Sequence, residues 1–161
     1  MSFHDDTIPD DNSISYQEKR AIVSLITTLV ISPLYFWVVS QRFPTADAYS
    51  KEVFEFWGTV ILILVPVSAV ANVIIFVVFS VINTVATNEE EPLIVDERDQ
   101  LIELRATRNA MLVFIIGFFF AIGLLAFNLP PSGMFIILIL AGMFASMASD
   151  ISQLYYYRRG V

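Results

Sequence analysis

Apolar residues in this chain gather into long unbroken runs, not into alternating or striped patterns. The first covers 21–40, between Lys19-Arg20 and Gln41-Arg42. About twenty residues suffice to cross the hydrocarbon core of a bilayer, at roughly 1.5 Å each. The second, 57–84, is longer than a perpendicular crossing needs. It must tilt, bend or push its ends into the interface. Pro66 within it removes a backbone donor and marks a kink. The third run is 111–129 and the fourth 134–154, with the short turn NLPPSG at 128–133 making an antiparallel hairpin of this pair. The pattern predicts an all-α integral membrane four-helix bundle. Its parts are a flexible acidic tail (1–20), a first membrane hairpin (21–84), a charged amphipathic linker helix (85–110), and a second hairpin with a short basic end (111–161).

Composition agrees. The chain of 161 residues is 57% hydrophobic and 16% charged, with mean hydropathy +0.70, whereas a soluble domain is nearer half apolar and about a quarter charged. That length accommodates one membrane domain and no separate globular one. The formal charge of −7 comes mostly from the tail and linker and argues against direct nucleic-acid binding. No cysteine is present, so neither disulfides nor thiol chemistry arise. The opening MSFHDDTIPDDNSISYQ is acidic where a secretory signal would be basic, so the first span is expected to be retained.

Orientation follows from Lys and Arg near the ends of the spans. Four crossings put both termini and the central linker on one side, with Lys19, Arg20, Arg98, Arg105, Arg108, Arg158 and Arg159; the other side has only Arg42 and Lys51. The excess predicts a plasma-membrane protein with cytoplasmic termini and linker. Tyr35, Phe36, Trp37 and Trp57 mark the outer interface in this reading, and Tyr155 to Tyr157 the inner one.

The spans are notable for what they lack. No Asp, Glu, His, Lys or Arg occurs in 21–40, 57–84 or 111–149, and Asp150 stands at the cytoplasmic end of the fourth span, in reach of water or an Arg. Transporters and proton relays usually carry ionisable groups in the membrane. A small four-span drug exporter matches in size but needs a carboxylate in its first span. Asn72, with Ser68, Ser80 and Asn83, supplies the polarity of the second span. An amide in hydrocarbon seeks an interhelical partner, and a pore or ligand contact is the sharper alternative. In the fourth span Ala141, Ala145 and Ser149 recur every four residues, as do Gly142 and Ser146. Such faces let helix backbones approach closely, either inside the chain or in a homodimer. Gly117 and Gly123 do not have the spacing of that motif. The single histidine, His4, lies in the acidic tail, so a catalytic triad or a histidine metal site would have to be built around it; loose cation binding by the neighbouring Asp5 and Asp6 is the minor alternative. Phosphate loops and dinucleotide fingerprints are also missing. The expectation is a protein with no cofactor and no enzymatic activity.

The charged strip NEEEPLIVDERDQLIELRATRNA, 88–110, raises the question of function. Pro92 after three glutamates favours an extended entry. Asp96 can cap a helix, with Asp99 in its first turn where the dipole favours an anion. At about 100° per residue, Asp96, Asp99, Gln100, Glu103 and Thr107 form an acidic face. Arg98, Leu101, Ile102, Arg105 and Arg108 gather opposite, with Leu104 at the edge. The basic-apolar face can rest on an anionic leaflet, at about 1 kcal/mol per Arg, leaving Asp96, Asp99 and Glu103 to face water or a partner. Alternatively the helix runs directly into the third span, since no breaker follows Asp96 before Phe127. A third reading makes Glu89, Glu90, Glu91, Asp96, Glu97, Asp99 and Glu103 a divalent-cation site, although the spacing fits no EF-hand.

Asp96-Glu97-Arg98-Asp99 with Leu101-Ile102-Glu103, and the ending Leu154-Tyr155-Tyr156-Tyr157-Arg158-Arg159-Gly160, resemble a family of small prokaryotic membrane proteins of unknown function with a DERD-type linker and a tyrosine-arginine-glycine end. The resemblance covers about the second half of the chain and implies four membrane helices. By analogy with membrane partners of helix-turn-helix regulators it suggests sensing or sequestration. The expected role is therefore a non-enzymatic interaction, regulatory or scaffold protein whose partners are the bilayer and a cytoplasmic protein. The alternative is a small transport or permeation protein with a polar path near Asn72 and Pro66.

Overall fold

The structure is a computed structural model, and it describes residues 16–87 and 96–159. His4, Asp5, Asp6, Glu89, Glu90, Glu91, Pro92 and Gly160 lie outside the described residues. Four helices account for nearly all of the rest: α1 (Tyr16–Ser40), α2 (Lys51–Thr87), α3 (Glu97–Ala126) and α4 (Pro131–Arg159). Each is long and apolar enough to cross a membrane. The protein is an all-α, multi-span membrane bundle.

The segment expected as a separate linker helix is the opening of α3. Residues 97–110 continue into the third span without interruption, because neither Pro nor Gly occurs between Glu97 and Gly117 to break the ladder. A helix of 30 residues is about 45 Å long and exceeds a hydrocarbon core of about 30 Å by several turns. The charged turns are that excess. Asp96 stands at the N-cap with extended backbone, but its side chain makes no capping bond.

Local chemistry sets the helix ends. Ser50 caps α2, its Oγ accepting from Val53 N–H at 3.4 Å. The end of α3 is closed by Asn128, whose φ of 56° is left-handed. Leu129 N–H bonds to the Leu124 carbonyl at 3.0 Å and Asn128 N–H to Leu125 at 3.1 Å, a Schellman arrangement with Asn in the place usually held by Gly. Pro131 then opens α4, where a missing N–H costs nothing. Helix α2 runs through Pro66, and α1 through Pro33.

Helix α4 is the hub. It packs on all three other helices, and α3 makes close main-chain approach to α4 alone. At Gly117 the two backbones are so close that an added Cβ would lie 3.2 Å from Ala141 Cα and overlap Ala141 Cβ. Buried Ala121 and Ala106 continue that seam. The small residue, not the hydrophobic one, sets the separation, as expected where lipid is as apolar as the side chains.

Helix α2 is held chiefly at its two ends. At the end carrying the α1–α2 and α3–α4 loops (the loop end), Val53, Trp57 and Val60 join Val39 in a buried cluster backed by Tyr35 and Phe135. Trp57 stacks on Phe135 with ring centroids 5.9 Å apart, and Tyr35 Oη donates to the Val60 carbonyl at 2.7 Å. Tyr49 Oη ties the α1–α2 loop to the Asn128 and Leu129 carbonyls at 3.4 Å. At the opposite end, which carries Arg20, Arg98 and Arg158 (the basic end), Phe79 meets Tyr16 and Arg20 lies over Phe76 at 4.5 Å. From Ile61 to Val85 no residue of α2 is buried, and Leu62 is 76% exposed.

Candidate functional site

Between those two attachments α2 stands off from α1 and α4 and leaves a cavity of about 440 Å³. Thr27, Thr28, Ile31, Ser32, Tyr35 and Phe36 line it from α1. Ile61, Leu64, Val65, Ser68, Ala71 and Asn72 line it from α2. Leu138, Ile139, Gly142, Met143 and Ser146 come from α4, and Phe114 from α3. The wall is mainly apolar, with hydroxyls and one amide set into it. Three of those polar groups bond along their own helix: Thr27 Oγ1 donates to Val23 O at 2.7 Å, Ser68 Oγ to Val65 O at 2.9 Å, and Asn72 Nδ2 to Ser68 O at 2.9 Å. Asn72 thus has its recorded bond inside α2, where an interhelical partner was expected. Its carboxamide oxygen remains available to whatever fills the cavity.

The small residues of α4 divide. Ala141 and Ala145 are buried, consumed by packing inside the chain. Ser149 is half-buried and accepts from Gln153 Nε2 at 3.4 Å. Gly142 and Ser146 line the cavity, and a Cβ at Gly142 would meet open space. Two rows that look alike in the sequence therefore serve different ends.

A second cavity, of about 290 Å³, continues toward the basic end and shares Thr27 and Asn72 with the first. A third, of about 190 Å³, shares Arg20 and Ser24 with the second and is lined by Gln17, Arg20, Ser24, Asp99, Glu103, Asp150, Gln153 and Tyr157. Sequence reading missed this polar nest. Its signal lay in α1, where Gln17, Arg20, Ser24, Thr28 and Ser32 recur at helical spacing along one stripe.

The nest also relocates two expected features. Asp150, expected in reach of water or an Arg, is only 7% exposed. Its hydrogen-bonding neighbour is Ser24, and Oδ2 has no partner among the described residues. Asp99, expected on a face turned to water, is half-buried, with the Tyr157 hydroxyl directed at its carboxylate. Helix α4 lies against the boundary between the acidic and basic faces of α3. Ile102, expected on the lipid-facing side, is buried there with Ala106, and Asn109 donates to Ser152 Oγ at 3.1 Å and Tyr156 Oη at 3.4 Å. Glu103 is exposed at the flank and Asp96 exposed at the helix start. The helix is packed as part of the bundle, with Ile102 and Ala106 turned toward α4.

The basic residues fall into two groups. Arg98 and Arg108 are exposed. Arg105 sits over Tyr156 at 5.8 Å, Arg159 over Tyr155 at 4.6 Å, and Arg158 is 4.0 Å from Glu18. The DERD segment and the Tyr-Arg ending, remote in sequence, thus pack together. Trp37 is 62% exposed, whereas Trp57 is 3% exposed and packed in the cluster with Val39, Val53 and Val60. Among the described residues no group of carboxylates or histidines is arranged to hold a metal ion. No family model, no curated protein and no solved structure matches the chain, and the family suggested by its DERD and Tyr-Arg motifs gains no support from them.

Proposed function

We propose that this small membrane protein is non-enzymatic, binds a lipophilic molecule in the cavity between α1, α2 and α4, and offers its basic end to a protein partner. The observation that carries the reading is the stand-off of α2 between two anchored ends, which leaves a 440 Å³ space walled by three helices. Ligand sites in helical bundles typically have this character, mostly apolar with a few convergent polar groups. Occupancy of the cavity would set how far α2 lies from α4, and α4 also carries the tyrosines that hold the charged start of α3. That mechanical link suits a sensing or regulatory role better than a scaffold. The excess of Lys and Arg supports cytoplasmic termini, so Asp96, Arg98, Glu103 and Arg108 would form the face a cytoplasmic partner meets. A helix-turn-helix regulator rests on the analogy alone. A homodimer would have to use surfaces other than Ala141 and Ala145.

Gly142→Phe tests the cavity, because a Cβ there meets nothing within 4 Å and a larger side chain would occupy the space that Gly142 lines. In mild detergent the purified wild-type protein should bind dodecanol, read by native mass spectrometry, and the variant should lose it. Equal binding by a folded variant would remove the basis for the proposal. One observation favours the transport alternative, namely that the three cavities follow one another along α1. Flux in liposomes that Asn72→Leu abolishes would establish it, and absence of flux would leave binding alone.

A further inference from the structure

Asp150 carries an unresolved demand. A carboxylate removed from water needs donors, because desolvation of an unpaired charge is costly. Ser24 offers one, yet Oδ2 has none among the described residues. Asp99 and Glu103 border the same cavity, and the single cation there, Arg20, is drawn over the Phe76 ring and forms no ion pair with any of the three among the described residues. The Tyr157 hydroxyl serves Asp99 and Glu103 is exposed, so the unmet demand is that of Asp150 Oδ2, in a nest lined by three carboxylates and one guanidinium. Among the described residues no group of carboxylates is arranged to hold a metal ion, whereas a cation that carries its own N–H donors needs only Oδ2 of Asp150 and one neighbouring acceptor. An apolar cavity lies beyond, reached past Ser24, Thr27 and Asn72.

We propose that the nest formed by Asp150, Asp99 and Glu103 binds the protonated primary amine of an amphiphile whose hydrocarbon chain extends into the cavity between α1, α2 and α4. The inference rests on the cavity reading above and adds the class of ligand. A primary ammonium supplies three N–H donors, enough for Oδ2 of Asp150 and a second carboxylate. A quaternary ammonium has the same charge but no N–H, and an alcohol has the donor without the charge. Arg20 and Ser24 border both the nest and the second cavity. A tethered amine enters with its chain already favourably placed.

The full chain in phosphatidylcholine nanodiscs is titrated with dodecylammonium, dodecyltrimethylammonium and dodecanol, against empty nanodiscs as blank. Dodecylammonium is expected to bind on the order of tenfold more tightly than either analogue, the difference of one charge-assisted hydrogen bond. Asp150→Asn should erase that preference while leaving dodecanol binding intact, which also shows that the variant is folded. Glu103→Gln, at the exposed flank, should reduce the preference by a smaller factor. Three ligands binding alike would overturn the amine proposal and leave the cavity reading standing. No binding of any of them, with Gly142→Phe indistinguishable from wild type, would overturn both. Replacing part of the phosphatidylcholine by phosphatidylethanolamine separates the sources: competition with dodecylammonium identifies a lipid headgroup, and its absence a free amine.

Discussion

Gly117→Ala should loosen the α3–α4 pair, whereas Gly123→Ala on the same helix should not. Both substitutions replace a helical glycine, and both gain the same intrinsic helix preference, up to about 1 kcal/mol. That contribution cancels in the difference between them. What remains is sterics. At Gly123 nothing lies within 4 Å of the added Cβ, but at Gly117 it overlaps Ala141 Cβ and stands 3.2 Å from Ala141 Cα. Backbone cannot swing aside as a flexible side chain can, so the helices must separate and lose contact along Ala106, Ala121 and Ala141. Overpacking of this kind costs about 1–3 kcal/mol, which sets the expected gap between the variants. The assay is loss of helical circular dichroism on titrating SDS into protein held in mild detergent. Ala141→Gly placed in the Gly117→Ala background removes the colliding methyl but leaves the 3.2 Å approach to the residue 141 Cα, so it should recover part of the loss, a coupling expected of residues in contact. If the two alanine variants unfold at the same SDS fraction, Gly117 is not the closest approach and the packing described for α3 and α4 is wrong.

Trp57→Ala should cost about 3–5 kcal/mol, as for other buried aromatics, and in a Trp37→Phe background Trp57 emission should resist iodide; strong quenching would place the ring outside the cluster. Tyr35→Phe removes the 2.7 Å bond to the Val60 carbonyl and should lower stability by about 0.5–1.5 kcal/mol, measured by thermal melting, with no change if that hydroxyl is solvated. The chain has no cysteine, so single cysteines at the exposed Thr107 and Thr45 should react with an impermeant maleimide from opposite faces, Thr45 from outside in intact cells. The reverse pattern would invert the orientation. Changing Arg98, Arg105 and Arg108 together to Glu should disturb that labelling pattern, since these cations weigh in the balance that orients the spans; unaltered labelling would assign topology to Lys19, Arg20, Arg158 and Arg159.

The four spans, the 128–133 turn and the charged character of residues 96–110 are all legible in the chain, because each follows from local composition and length. A bilayer crossing needs an apolar run of given extent, and nothing distant alters that requirement. The same runs conceal which face meets protein. In water a buried face is marked by its hydrophobicity, but in lipid the outward face is equally apolar, so Leu62 and Val60 look alike although one is exposed and the other buried. Only the tertiary structure separates Ala141 and Ala145 from Gly142 and Ser146, and only it puts Trp57 in a core and Gly117 at the point of closest approach. The same holds for the charged strip. Its faces could be drawn from helical spacing, but α4 lies along their boundary and turns Asp99 inward to Tyr157, beside the buried Asp150. Residues 99, 150 and 24 meet because three helices converge at one end of the bundle; the polar stripe of α1 marks one wall, but what faces it is a long-range arrangement set by backbone fit.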